Sequence, residues 1–159
     1  MAATTVYRKI AVLLATPVIA TALWAGDPWI GTWKLNHAKS DSYPTIPKSQ
    51  ILIFEAQGKG LKTTEQLVTA DGQEYSVHWT ANYDGKDYPV VGSRAGTEWV
   101  SIRRTDANTF ECETKKKDRS VSSIYKIVVS PDGKFFTMHS GPEKPTPDRP
   151  PRVRIFDRQ

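Results

Sequence analysis

The chain has only one cysteine, Cys112, so no disulfide can form within it. Cys112 is also far from the N-terminal region, which excludes it as the lipid-bearing cysteine of a lipoprotein. It falls between Phe110 and Thr114 on one face of a predicted strand. We therefore interpret Cys112 as a small buried hydrophobic residue rather than a reactive thiol.

Metal-binding residues are equally scarce. The three histidines, His37, His78 and His139, are scattered along the chain, and none lies at metal-ligand spacing from another or from Cys112. Zinc sites usually bring two ligands together within a few residues of sequence. The sequence therefore gives no reason to expect a metal or any other cofactor.

Recognisable catalytic motifs are absent as well. Glu111 and Glu113 share a strand face with Lys115, which is typical of a solvated charged surface rather than of a general acid and base. The dipeptide Gly92-Ser93 does not belong to a Gly-x-Ser-x-Gly nucleophile elbow, and no glycine-rich phosphate loop occurs. We expect that the protein is not an enzyme and has no catalytic residues.

The N-terminal apolar run, Ile10 to Trp24, is interrupted by a proline and is too short for a comfortable membrane span. A basic pair, Arg8-Lys9, precedes it and small residues follow it. This order of basic, apolar and small residues is typical of a secretory signal peptide. We predict a signal peptide at residues 1–25, cleaved after Ala22 or Ala25, and hence an exported protein, periplasmic or secreted. An uncleaved N-terminal anchor is the alternative.

The formal charge of +5 says little about partners, since it falls to +3 once Arg8 and Lys9 are removed with the signal peptide. A denser basic cluster, Lys115-Lys116-Lys117 with Arg119, lies near aromatic residues and makes nucleic-acid binding an alternative to weigh. The cluster falls at a predicted hairpin tip, however, and an exported protein rarely meets nucleic acid. We expect no nucleic-acid partner and interpret the cluster as a source of solubility or of attraction to an acidic envelope surface.

What the sequence does contain is strand periodicity. Between residues 74 and 83, aromatic and apolar residues alternate with polar ones, which predicts a strand with one aromatic face. Turn signals recur about every 12 residues, with no helical periodicity between them. One of them, Asp84-Gly85, predicts a two-residue hairpin turn. The predicted strands are Trp29–Leu35, Gln50–Ala56, Leu61–Val68, Glu74–Tyr83, Lys86–Val91, Thr97–Arg104, Thr109–Lys117, Val121–Val129, Lys134–His139 and Arg152–Arg158.

These strands predict one all-β domain over residues 26–159. Short connections make consecutive strands antiparallel, which gives an up-and-down meander. A twisted sheet of about nine or ten strands protects its edges by closing into a barrel. We therefore predict a closed antiparallel barrel in which an extended loop, Gly141–Pro151, carries the last strand back to pair with the first.

The first strand has an unusual inner face. Because alternate side chains of a strand share a face, Trp29, Gly31, Trp33 and Leu35 should point the same way. Gly31 then leaves a gap between two indole rings. We expect a long side chain from elsewhere in the chain to fill this gap and lie across Trp33.

The same strand carries a family motif. Gly31-Thr32-Trp33, followed by repeated hairpins, resembles the Gly-x-Trp signature of the lipocalin and calycin superfamily, and the longer phrase up to Ser40 resembles small exported bacterial lipocalin-like proteins. The resemblance implies that Trp33 plugs the narrow end of the barrel under an arginine near the end of the last strand. We assign that role to Arg154, with Arg158 and Arg103 as alternatives, at a modest but geometrically specific cation–π gain.

The barrel interior is the remaining candidate for a functional site. A barrel of this strand number holds either side chains alone or one small ligand. Apolar pockets with a few placed polar groups are typical of ligand sites. The predicted ligand-binding residues are Tyr75, Trp79, Tyr83, Phe110, Tyr125 and Glu65, with Trp99 as a further aromatic candidate and Thr63, Thr114, Ser123 and Thr137 as further polar ones.

These features predict a monomeric protein that carries or sequesters a small hydrophobic or amphipathic molecule. Two alternatives stay open. A structural or interaction module of the cell envelope would have a filled barrel and a continuous exposed apolar patch. An enzyme would need two titratable groups, with Glu65 or a histidine among them, that converge inside the barrel.

Overall fold

The structure is a computed structural model that describes residues 26–42, 45–93, 96–148 and 150–159. The predicted signal peptide, residues 1–25, lies outside the described residues. Within the described ranges the chain forms ten β-strands and one short 3-10 helix, His37–Lys39. The strands are β1 Gly31–Leu35, β2 Ser49–Gln57, β3 Gly60–Val68, β4 Glu74–Asn82, β5 Tyr88–Val91, β6 Trp99–Asp106, β7 Thr109–Lys115, β8 Val121–Val129, β9 Phe135–Gly141 and β10 Arg152–Arg158.

The strands form a closed antiparallel barrel in which each strand pairs with the next and β10 pairs with β1. The closure is made at β1, where Trp33 lies opposite Leu52 of β2 on one side and Arg158 of β10 on the other. This confirms the prediction of an up-and-down barrel of nine or ten strands. The final strand also has the predicted bounds and the predicted partner.

The core is concentrated at one end of the barrel, which we call the closed end. Its rings are in direct contact: the Trp29 and Phe110 centroids are 4.5 Å apart, and Phe136 and Phe156 are stacked at 4.6 Å. Burial of large aromatic side chains contributes a dominant share of core energetics. The fully buried aromatic residues of the closed end are Trp29, Trp33, Phe110, Phe136 and Phe156.

The first strand is shorter than predicted, because β1 begins at Gly31 and Trp29 lies in the turn before it. Gly31 adopts a φ of +142°, a backbone conformation that other residues rarely take, and the chain bends there. The bend brings the Trp29 carbonyl within 3.0 Å of Trp33 Nε1, which donates a hydrogen bond to it. Trp29 therefore caps the barrel from the turn rather than sharing a strand face with Trp33.

The hairpin between β4 and β5 is also wider than predicted. Asp84-Gly85 does not form a two-residue turn, since β4 ends at Asn82 and β5 begins only at Tyr88. The Asp84 carboxylate accepts a hydrogen bond from the Lys86 backbone N–H at 3.0 Å, which stabilises the longer loop. The predicted strand Lys86–Val91 is accordingly shortened.

Candidate functional site

A cavity of about 290 Å³ occupies the barrel interior beyond the closed end. Its walls include Pro47, Ser93, Thr97 and Pro142, which lie in loops at the end of the barrel opposite Trp33. The cavity therefore reaches this end, which we call the mouth. Apolar side chains form much of its wall, chiefly Leu52, Phe54, Trp79, Phe110, Ile127 and Met138.

The plug at the closed end uses Arg158. Its guanidinium lies 4.1 Å from the centre of the Trp33 ring and donates hydrogen bonds to the Pro28, Ile30 and Gly133 carbonyls. A methyl group at Gly31 would lie 2.8 Å from Arg158 Nη1. The expected gap beside Trp33 is thus filled by a long side chain, as predicted.

The assignment of this role to Arg154 was wrong. Because β10 side chains alternate between faces, Arg154 also faces inward, but it lies four residues closer to the mouth than Arg158. Its Nη1 donates a hydrogen bond to Gln50 Oε1 at 3.0 Å, and it lines the cavity. Arg103, the other alternative, is exposed on β6 and packs beside Gly85.

A hydrogen-bonded polar chain crosses the cavity wall near the mouth. It begins at Arg154 on β10, continues through Gln50 on β2 and ends at Glu65 on β3, where Gln50 Nε2 donates to Glu65 Oε1 at 2.6 Å. Gln50 is 6% exposed, and the chain therefore meets the requirement that buried polar groups be hydrogen-bonded. Because the Glu65 carboxylate points inward, it needs a hydrogen-bond partner, and Gln50 is that partner.

Four of the six predicted ligand-binding residues line the cavity: Trp79, Phe110, Tyr125 and Glu65. They come from four different strands, and each lies on the inward face that the alternation of its strand predicts. Strand alternation alone was sufficient to find them.

Tyr75 and Tyr83 do not line the cavity. Tyr75 lies at the start of β4, where its hydroxyl donates to Gln73 Oε1 at 2.6 Å. Tyr83 lies past the end of β4 on the closed side of Phe110, with ring centroids 6.1 Å apart, and the Arg104 guanidinium lies 4.7 Å above its ring. The predicted row of aromatic residues is longer than the cavity. Only its middle member, Trp79, therefore lines the open space.

Trp99 and Thr137 belong to the outer surface. Trp99 lies opposite Lys115 in the outward row of β6, and the Arg119 guanidinium is 3.5 Å from its ring. Thr137 alternates with the buried Phe136 and Met138 and therefore points outward. Among the other polar candidates, Thr63, Thr114 and Ser123 do line the cavity.

An ion-pair cluster covers Trp99 from outside. Asp87 accepts hydrogen bonds from Lys115 Nζ and Arg119 Nη1, each at 2.7 Å. The bond from Lys115 is the main reason that the pKa of Asp87 lies below its ordinary value. The predicted basic hairpin tip is therefore partly neutralised by a carboxylate from the loop before β5.

Sequence reasoning missed Gln50 and Arg152 as cavity residues. Both face inward next to loops, Gln50 at the start of β2 and Arg152 at the start of β10. The signal was present in β10, where Arg152, Arg154, Phe156 and Arg158 occupy alternate positions. Arg152 and Arg154 come first along the strand and indicate a polar lining toward the mouth, whereas Arg158 lies at the closed end.

Two weak acids in the wall stay protonated at neutral pH. Burial raises the pKa of the Cys112 thiol to about 12, with smaller contributions from Glu113 and Glu65. Burial likewise raises the pKa of Tyr125, whose hydroxyl is hydrogen-bonded to Ser123 and Thr114. A thiol with a raised pKa is a poor nucleophile, so Cys112 is suited to packing in the wall rather than to nucleophilic catalysis.

The described residues contain no group of three His, Cys, Asp or Glu side chains that could hold a metal ion. In the same part of the chain, no helix has the length and apolar character needed to cross a membrane. A comparison with protein-family models finds no match for this chain, and a search of curated proteins finds no similar sequence.

Proposed function

We propose that this protein is an exported lipocalin-like protein that binds one small hydrophobic or amphipathic molecule inside its barrel. The observation that carries the proposal is the cavity, about 290 Å³ of space behind apolar walls and connected to the mouth. Its size is just below the range of about 300–1,000 Å³ that is usual for ligand pockets. One compact molecule or one short chain fits such a space.

The distribution of polar groups supports an amphipathic ligand. Arg152 lines the cavity near the mouth and also lines a second cavity beside it, of about 280 Å³, together with Arg154 and Thr69. The opposite end of the main cavity is formed by Phe54 and Phe110. A ligand would therefore place its apolar body near the closed end and a polar or anionic group near the mouth.

The resemblance of the first strand to lipocalins supports the same proposal. The Gly-x-Trp motif occupies the closed end, and Arg158 covers the tryptophan from the last strand. Export follows from the predicted signal peptide at residues 1–25. A periplasmic or secreted barrel with an internal cavity is suited to carrying or sequestering a poorly soluble molecule.

The alternative of an envelope interaction module receives less support. It needs a continuous exposed apolar patch, but the large hydrophobic side chains exposed among the described residues are Val91 on β5 and Phe135 on β9. Three strands separate β5 from β9 in the barrel. These two side chains therefore do not form one patch.

The proposal is tested by purifying the protein from cells that export it and extracting it with organic solvent. Mass spectrometry should detect a small molecule in the extract, in an amount comparable to that of the protein. Trp79→Ala, which removes a cavity-lining ring, should reduce the retained amount. Val91→Ala, a truncation on the outer face of the neighbouring strand, is the matched control and should leave it unchanged. An empty extract from wild-type protein, with no binding of added amphipathic probes, would refute ligand binding.

A further inference from the structure

Thr63 faces the deep part of the cavity from the middle of β3. It lies between Phe54 of β2 and Trp79 of β4 in the strand register, so large apolar rings flank its short side chain. Thr63 is 1% exposed to solvent and lines the cavity. Its hydroxyl therefore sits where the interior is otherwise apolar.

That hydroxyl has no hydrogen-bond partner among the described residues. Five buried side-chain nitrogen or oxygen atoms in the described part of the chain lack one, and only that of Thr63 belongs to a cavity-lining residue. A buried hydroxyl without a partner lowers stability, and valine has nearly the same shape. The polar atom at this position therefore calls for an explanation that the folded protein alone does not supply.

Two other polar positions of the wall are already paired within the protein. Gln50 donates to Glu65, and the Thr114 hydroxyl donates to the Ser123 carbonyl at 3.4 Å. These groups can support the shape of the cavity without a ligand. Thr63 differs from them because its hydrogen-bonding capacity is unused.

Building on the proposed function, the geometry points to Thr63 as the inner polar contact of the ligand, which accordingly carries a neutral oxygen at the buried end of its apolar body. A hydroxyl or carbonyl group suits this position, since a threonine hydroxyl both donates and accepts. A carboxylate does not suit it, because Glu65 faces the cavity two residues along the same strand. The ligand is therefore an apolar chain or body with a polar group at each end, one near the mouth and one near Thr63.

Chain length guides the choice of probes. Thr63 lies four residues from Leu67, which lines the mouthward part of β3, and four residues of an antiparallel strand span about 14 Å. An extended ten-carbon chain is of similar length. Decanoate and 10-hydroxydecanoate therefore form a matched pair that differs by one terminal hydroxyl, and each carries a carboxylate for the arginines near the mouth.

The experiment measures both dissociation constants by calorimetry on exported protein that has been stripped of bound molecules. Wild-type protein should bind 10-hydroxydecanoate at least as tightly as decanoate. In Thr63→Val the ratio of the two constants should shift by about tenfold against the hydroxy acid, because its hydroxyl loses its partner. Thr63→Ser keeps the hydroxyl and should retain the wild-type ratio. Thr64→Val, which removes a paired hydroxyl from the outward face of the same strand, is the control and should also retain it.

Each outcome decides a separate question. If wild-type protein binds neither acid, the inference about Thr63 is overturned, and an empty solvent extract in addition would refute the proposed function. If it binds both and Thr63→Val leaves their ratio unchanged, ligand binding stands but the Thr63 hydroxyl does not contact the ligand, and the inference is overturned. Thermal unfolding controls for structure: the Thr63→Val midpoint should equal or exceed that of wild type, since the substitution removes an unpaired buried hydroxyl.

Discussion

Arg158 joins the last strand of the barrel to the first by lying across Trp33, with 4.1 Å between its guanidinium carbon and the ring centre. The same guanidinium donates to the Pro28 and Ile30 carbonyls in the segment that leads into β1. One side chain therefore fixes the barrel closure, the plug and the turn that carries Trp29.

Arg158→Ala should lower the free energy of unfolding by about 3 kcal/mol, because it removes several charge-assisted hydrogen bonds together with a cation–π contact. Denaturant titration followed by tryptophan fluorescence measures the loss. Arg103→Ala removes an exposed arginine from β6 and should cost about 0.5 kcal/mol or less. Equal losses for the two variants would show that Arg158 is not a closure residue.

Trp33→Ala should lower the free energy of unfolding by about 3–5 kcal/mol, the usual cost of truncating a buried large aromatic residue. Trp33 is completely buried and contacts Phe136, with ring centroids 5.0 Å apart. Trp99→Ala, made on the outer face, should cost clearly less. Denaturant titration of the two variants gives the comparison, and an unchanged stability of Trp33→Ala would contradict its role as the plug.

The existence of the strands could be predicted because their pattern is local. Alternation with a period of two fixes which side chains face inward, and Pro and Gly turn signals mark the ends. The predicted strand boundaries were wrong where a side chain stabilises a longer loop. Asp84 does this by accepting a hydrogen bond from the Lys86 backbone N–H. Closure could be inferred because joining the first and last strands of a wide twisted sheet removes both unpaired edges.

The extent of the cavity could not be predicted. Alternation predicted Tyr83 and Trp79 on the same strand face, yet Tyr83 lies past the end of β4 and only Trp79 lines the cavity. That difference depends on how side chains from other strands, such as Phe110, fill the barrel at each level. The partner of Trp33 was similarly ambiguous, because Arg154 and Arg158 have the same parity and only the register of β10 against β1 distinguishes them.

Cys112 should react far more slowly in the folded protein than in the unfolded one. Burial raises its pKa to about 12, so at pH 8 the thiolate fraction is about a thousandfold smaller than for a thiol with a pKa near its ordinary value of 9.0. Labelling with iodoacetamide at pH 8, quantified by mass spectrometry with and without denaturant, should show a difference of at least this size. Rapid labelling of the folded protein would mean that Cys112 is exposed and that its strand register is different.

Asp87→Asn should destabilise the protein by about 1 kcal/mol at neutral pH, because it removes a carboxylate that pairs with both Lys115 and Arg119. The pKa of Asp87 is lowered, so its contribution is complete above about pH 4 and is lost as the pH falls through that lowered value. The pKa of Lys115 is raised, chiefly by the hydrogen bond that it donates to Asp87, so the contribution persists below about pH 10.4 and is lost as the pH rises through the raised value.

The difference in unfolding free energy between wild type and Asp87→Asn should therefore be nearly constant from about pH 4 to pH 10 and shrink on both sides. Denaturant titrations across this range measure it. Adding salt should reduce the difference, since the pair is partly solvent-exposed. Glu111→Gln, on an exposed position of β7, is the matched control and should show neither effect. A difference that is independent of both pH and salt would mean that Asp87 acts through packing of the loop and not through its charge.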